Sequence, residues 1–251
     1  FTPNVSERFR LQTVNFNLNL NQFDALNIQP LRDIEIRILQ NGRWDHFAKI
    51  TQPTYIYPDH FEYSLNANND FAGGNEFRKV DIRSTRFTSQ WTEFQRCNDV
   101  CEAHQMLEKP RTSNQYFTNP DFNGNFFIKV HEFPDPDLDS DYITTHFRLK
   151  TDSPLNGEVY VFGKITDWLP KANFRMKWSP ITNQYELAVP LKQGIYDYEY
   201  VLVNKKGSID ETIFEGSHFE TENFYTILVY YLQPADRSHQ ILGILPINYY
   251  D

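Results

Sequence analysis

The sequence predicts an all-β protein built as two immunoglobulin-like β-sandwich domains in tandem. Three observations predict it. Apolar residues recur at every second position in many short runs, the period of a half-buried strand. Turn residues interrupt those runs at regular spacing. Aromatic residues make up 16% of the 251 residues, with 21 Phe and 15 Tyr, and such rings suit a pleated, half-covered surface. No apolar stretch approaches the roughly 20 residues that a bilayer-spanning helix needs, and no amphipathic helix of useful length is legible.

Taken in order, Val14, Phe16, Leu18 and Leu20 alternate with Asn15, Asn17, Asn19 and Asn21, a strand with one wet face. Ile34, Ile36 and Ile38 repeat the pattern against Asp33, Glu35 and Arg37, and Asn41-Gly42 gives a strong hairpin signal, with Trp44 on the return strand. Residues 55–57 and 61–65 flank a turn at Pro58-Asp59-His60. The run from Phe71 to Ser84 organises the first half. Gly73 and Gly74 supply positive-φ turn conformations. Phe77, Val80 and Ile82 are then interleaved with Glu76, Arg78, Lys79, Asp81 and Arg83. So many charges read either as a solvated strand face or as a polar network between domains or with a partner. Residues 85–95, 101–107 and 126–131 read as further strands, with a long polar loop over 109–125.

Residues 134–141 join two prolines to a series of aspartates, the composition of a stiff, self-repelling linker. They are the expected boundary between a first domain, residues 1–133, and a second, residues 142–251. A Ca²⁺ loop of the known type would also need a turn glycine and a distal glutamate. Strands follow over 142–149, 158–162, 175–178, 185–191, 196–203, 224–231 and 241–247.

The net charge is −9, with most of the excess acid in the second half, which argues against nucleic acid and anionic membrane surfaces. The two cysteines, Cys97 and Cys101, are too few for a structural zinc site. Across a tight hairpin they could form a disulfide. On one extended strand their Cα atoms would lie about 13 Å apart, too far to bridge. The chain carries no Gly-x-Ser-x-Gly elbow, phosphate loop, dinucleotide fingerprint or His-Glu-x-x-His. A hydrolase reading would need a carboxylate pair about 5–10 Å apart in a cleft. His218, inside Gly216-Ser217-His218-Phe219-Glu220-Thr221-Glu222-Asn223, has acids nearby, but Ser, Thr and Asn side chains bonding the backbone of a turn explain the segment. The expectation is a protein with no catalytic residues, metal or cofactor.

Phe71-x-Gly73-Gly74-Asn75-Glu76-Phe77-Arg78, followed by Asp81-Ile82-Arg83-Ser84, resembles the hallmark of the plug-protein family of the bacterial type IX secretion system. Further matching pieces follow in the family's order: Gln40-Asn41-Gly42-Arg43-Trp44-Asp45, Asn123-Gly124-Asn125-Phe126-Phe127-Ile128, residues 157–163, Thr166-Asp167-Trp168 and residues 215–223. The resemblance runs from about residue 33 onward. It implies a non-enzymatic periplasmic protein that binds and closes the giant outer-membrane β-barrel translocon without itself inserting in the membrane. It also implies a further N-terminal β-domain ahead of Phe1, so the chain is expected to be part of a longer protein or a processed product. The second half is also similar to glycogen- and starch-binding early-set modules through Val161-Phe162-Gly163, Trp168, Met176, Trp178 and residues 194–200. That likeness implies a sandwich, and an alternative role in carbohydrate binding with Trp168 and Trp178 stacking on sugar rings.

Overall fold

The computed structural model describes residues 9–19, 28–64, 67–232 and 238–248. Along the chain run β1 (Leu11–Thr13), β2 (Phe16–Asn19), the single-turn helix α1 (Pro30–Asp33), β3 (Ile34–Gln40), β4 (Phe47–Ile50), β5 (Tyr55–Ile56), β6 (His60–Tyr63) and β7 (Asp70–Ala72). Then come β8 (Arg78–Asp81), β9 (Thr92–Cys97), β10 (Cys101–Gln105), β11 (Phe126–Ile128), α2 (Pro136–Asp139), β12 (Tyr142–Lys150), β13 (Glu158–Phe162) and β14 (Lys177–Ser179). They are followed by β15 (Gln184–Lys192), β16 (Gly194–Val203), β17 (Ile209–Asp210), α3 (Thr212–Glu215), β18 (Phe224–Leu232) and β19 (His239–Asn248). The fold is all-β, as the alternating runs predict. Leu20, Asn21 and Leu65, read as strand residues from the sequence, lie outside the described residues.

The chain divides into two compact units, but not at residues 134–141. One unit combines the chain up to Gly73 with the chain from Ser217 onward; the other is the contiguous piece 74–216. The expected tandem of 1–133 and 142–251 is therefore replaced by an insertion. The reason lies in pairing that local sequence does not encode. β12 pairs in parallel with β10 across the supposed linker, and β8 and β11 both pair with β16. Residues 134–141 instead connect strands of one unit, through α2, whose N-terminus is capped by Asp135 Oδ1 accepting from the Asp137 and Leu138 N–H groups.

In the first unit, β3 shows why its residues form a strand. Ile34, Ile36 and Ile38 are nearly or fully buried against Phe61, Tyr63, Phe71, Tyr225, Ile227 and Val229, each contributing about 1.5–3 kcal/mol of apolar burial. On the other face Glu35 is paired by Arg37 and Lys49 at 2.8 and 2.6 Å. β3 lies between β4 and β18 in a four-stranded sheet of order β19-β18-β3-β4. Asn41 and Gly42 take φ of 53° and 69° and turn the chain as expected. The return strand begins only at Phe47, however, and Trp44 sits exposed in the connection. A buried amide cluster closes this unit. Gln12 Nε2 donates to the carbonyls of Phe219 and Thr221, both at 2.7 Å, while its Oε1 accepts from Asn223 Nδ2 at 3.0 Å and the Tyr225 hydroxyl at 2.6 Å.

The second unit packs two sheets face to face. One has the order β14-β15-β12-β10-β9; the other is built on β16, which pairs with β8, β11, β13 and β17. Ile143, Phe147, Leu149, Tyr185 and Val189 from the first meet Val80, Ile82, Val159, Val161, Tyr198 and Tyr200 from the second. Here the charged run 76–83 finds its place. Arg78 Nε donates to Glu215 Oε1 at 2.8 Å, Arg111 Nε donates to Glu215 Oε2 at 2.8 Å, and Arg78 Nη1 lies 3.0 Å from Glu108 Oε1. The Tyr200 N–H donates to Glu215 Oε1 at 3.0 Å and the Tyr198 hydroxyl to Glu108 Oε2 at 2.7 Å. Burial pushes the Glu215 carboxyl up, but Arg78 and Arg111 reverse this and hold it below the usual carboxylate range. Of the two readings of this run, solvated face or network between domains, neither describes it. It is a buried network within one unit, and only Lys79, Asp81 and Arg83 are partly open to solvent.

Candidate functional site

The outer face of the five-stranded sheet gathers the side chains with most chemical potential. Strand alternation puts them there. On β12, Ile143, Thr145, Phe147 and Leu149 point into the core, so Thr144, His146 and Arg148 point out. On β10, Ala103 and Gln105 are buried, so Glu102 and His104 share the outer face. The parallel register sets His104 beside His146, and the antiparallel register with β9 sets Phe94 beside His104 and Arg96 beside Glu102. On the other flank Ala188 of β15 stands opposite His146, too small to cover the ring.

Three rings stack in a file across these strands. Phe94 and His104 are 4.1 Å apart between centroids at 17°, and His104 and His146 are 3.9 Å apart at 6°. Glu102, His104 and His146 are each half-buried, and one donor atom from each lies within 4.8 Å of the others. His146 Nε2 is closed off from solvent and has no hydrogen-bond partner. Burial depresses both imidazoles, and His146 depresses His104 further, so both rings are neutral at neutral pH. Arg148 donates through Nη2 to the Gln105 carbonyl at 2.7 Å and pairs with Glu93. A shallow groove of about 610 Å³ runs past this cluster, bordered by His104, His146, Arg148, Lys177, Trp178 and Glu186.

The residues singled out from the sequence fall elsewhere or play other parts. Cys97 and Cys101 face one another in register across the β9–β10 turn and are joined by a disulfide, with Cα atoms 4.0 Å apart; of the two geometries the sequence allows, the hairpin is the one seen. Trp168 is only 5% exposed. Its ring lies edge-on to Phe77 and Phe162, and a Cβ on Gly124 would come within 2.3 Å of it. Trp168 is therefore a core residue and offers no face for a sugar ring, contrary to the carbohydrate alternative. Trp178 is half-buried, leans on Tyr185 at 5.1 Å and borders the groove. The two tryptophans do not make one stacking surface. His218 lies in a turn held as its sequence suggests: Thr221 Oγ1 donates to its carbonyl at 3.0 Å and Ser217 Oγ to that of Arg10 at 2.6 Å.

The cluster on β10 and β12 was missed from the sequence. Its one local signal is Glu102-x-His104, a spacing of two that places both donors on one face of a strand. The partner, His146, comes 42 residues after His104 on a strand whose parallel pairing no local pattern announces.

No family model matches the chain, and no curated protein matches it. Among solved structures it is similar to a crystal structure, at 2.30 Å resolution, of a hypothetical protein from Parabacteroides merdae ATCC 43184. The TM-score is 0.88 at 30% sequence identity over 96% of this chain. The likeness covers 60% of that chain's own length. It supports the all-β sandwich fold.

Proposed function

We propose that this chain is a non-catalytic periplasmic protein that binds the giant outer-membrane β-barrel translocon of the type IX secretion system and closes it when no cargo is passing. The observation that carries the reading is the ordered series of segments resembling the plug family. Two of its members, the hallmark run 71–84 and residues 215–223, are in contact with one another. In one unit Asn223 Nδ2 donates to the Gly73 carbonyl at 2.7 Å, and a Cβ on Gly73 would strike the carbonyl of His218 at 1.9 Å. In the other, Arg78 meets Glu215 across 137 residues of sequence, and Asn75 Nδ2 donates to the Glu215 carbonyl at 2.8 Å. The Cys97–Cys101 disulfide suits an oxidising compartment such as the periplasm. The action would be steric, with a broad β-sheet surface laid over an opening.

The test is an affinity capture of the tagged full-length protein from solubilised outer membranes of its source, read by mass spectrometry. Recovery of a very large β-barrel protein is expected, with association slowing as salt is added, because an acidic protein meets a complementary surface. Failure to recover it, with the barrel intact in the input, overturns the proposal.

A further inference from the structure

We propose that Glu102, His104 and His146 form a binding site for a divalent late transition-metal ion of the zinc type. The donor set is two imidazole nitrogens and one carboxylate oxygen, a combination that zinc and its neighbours accept and that Mg²⁺ and Ca²⁺, which prefer all-oxygen shells, do not. The sheet supplies the geometry. Two adjacent strands in parallel register present the imidazoles side by side, and the spacing of two on β10 brings the carboxylate onto the same face. The donor atoms already lie within 4.8 Å of one another. Bringing them to the roughly 2.0–2.2 Å bonds that the ion requires turns one or both imidazoles out of their parallel stack, in which the rings lie 3.9 Å apart at 6°.

A second observation points the same way. His146 Nε2 is shut away from solvent without a hydrogen-bond partner, and a bound ion is one of the partners that satisfy such an atom in native structures. The paired strands fix the backbone beneath both histidines, and Phe94 stacks on the far face of His104. Besides the stack of the two imidazoles, an ion pair must yield: Arg96, which is largely exposed, lies 3.3 Å from Glu102, and a divalent ion displaces such a solvent-screened pair readily. Three protein donors leave a tetrahedral ion at least one position for a water or a further ligand. The site belongs to the 74–216 unit alone and stands apart from the translocon reading.

The experiment uses the untagged full-length chain, stripped with chelator and titrated with zinc chloride by calorimetry and by competition with a chromophoric chelator. One equivalent should bind. His104→Ala and His146→Ala should each weaken binding by more than the roughly 10–100-fold typical of residues that only support a ligand. Glu102→Gln, which preserves shape and removes the charge, should weaken it while leaving the thermal transition of the metal-free protein in place. Imidazole ¹⁵N shifts of both histidines should move on loading. Absence of zinc binding in the stripped wild type overturns the proposal. So does binding that survives in the folded His104→Ala/His146→Ala double variant.

Discussion

Asp197 is fully buried, and its carboxylate holds the 120s loop of the 74–216 unit. Its Oδ2 accepts from the N–H groups of Phe122 and Gly124, while Oδ1 has no partner. Burial first, and the nearby charge of Asp121 second, raise its pKa from the ordinary 3.8 to about 7. The sign of the linkage is therefore opposite to that of a salt-bridged carboxylate. The folded chain keeps this proton where the unfolded chain has released it. The stabilisation is complete below about pH 4 and is lost as pH rises towards 7. His104 and His146 act in the other sense, being depressed in the folded state, so the comparison that isolates Asp197 is with its own variant. Asp197→Asn should be more stable than the wild type at pH 8, by on the order of 2 kcal/mol. The two should converge near pH 4, as read from urea midpoints across that range. A difference independent of pH would show that the carboxylate does not titrate there.

At the scale of elements, β8 and the two residues after it show how one short stretch divides its charges between core and surface. Arg78→Ala would leave Glu215 buried with one cation fewer and should cost about 3–5 kcal/mol. Arg83→Ala removes a partly exposed pair with Asp81, made within one stretch of chain, and should cost less than about 1 kcal/mol. Equilibrium denaturation of the two variants side by side checks the contrast. The sequence displays β3, β12, β15 and β18 most clearly, because each is long enough for a period of two to stand out. The strand expected from residue 85 begins only at Thr92, seven residues later, because residues 85–91 alternate weakly and carry no ladder of their own. The glycines divide similarly. Gly74 has the positive φ expected of the pair, at 68°, while Gly73 is required by the close approach of the His218 carbonyl. A need for space leaves no local mark in sequence, and neither does the parallel register that brings His104 to His146.

At the scale of the whole molecule, the insertion of residues 74–216 into a unit made from both flanking segments decides what can fold by itself. Among the described residues, β8 through β17 pair only with one another. Residues 142–251, the expected second domain, would strip β12 of β10, β16 of β8 and β11, and β18 of β3. Expressed alone, 74–216 should give a single cooperative thermal transition with dispersed amide resonances, and 142–251 should not. A well-folded 142–251 fragment would restore the tandem division. The same connectivity has a mechanical side. Tension drawn through the two flanking segments is borne by the pairings that tie them together, among them the β3–β18 ladder and the Asn223–Gly73 bond. Load passes along the chain into the inserted unit only by way of residues 73 and 217, the two points where it joins its host.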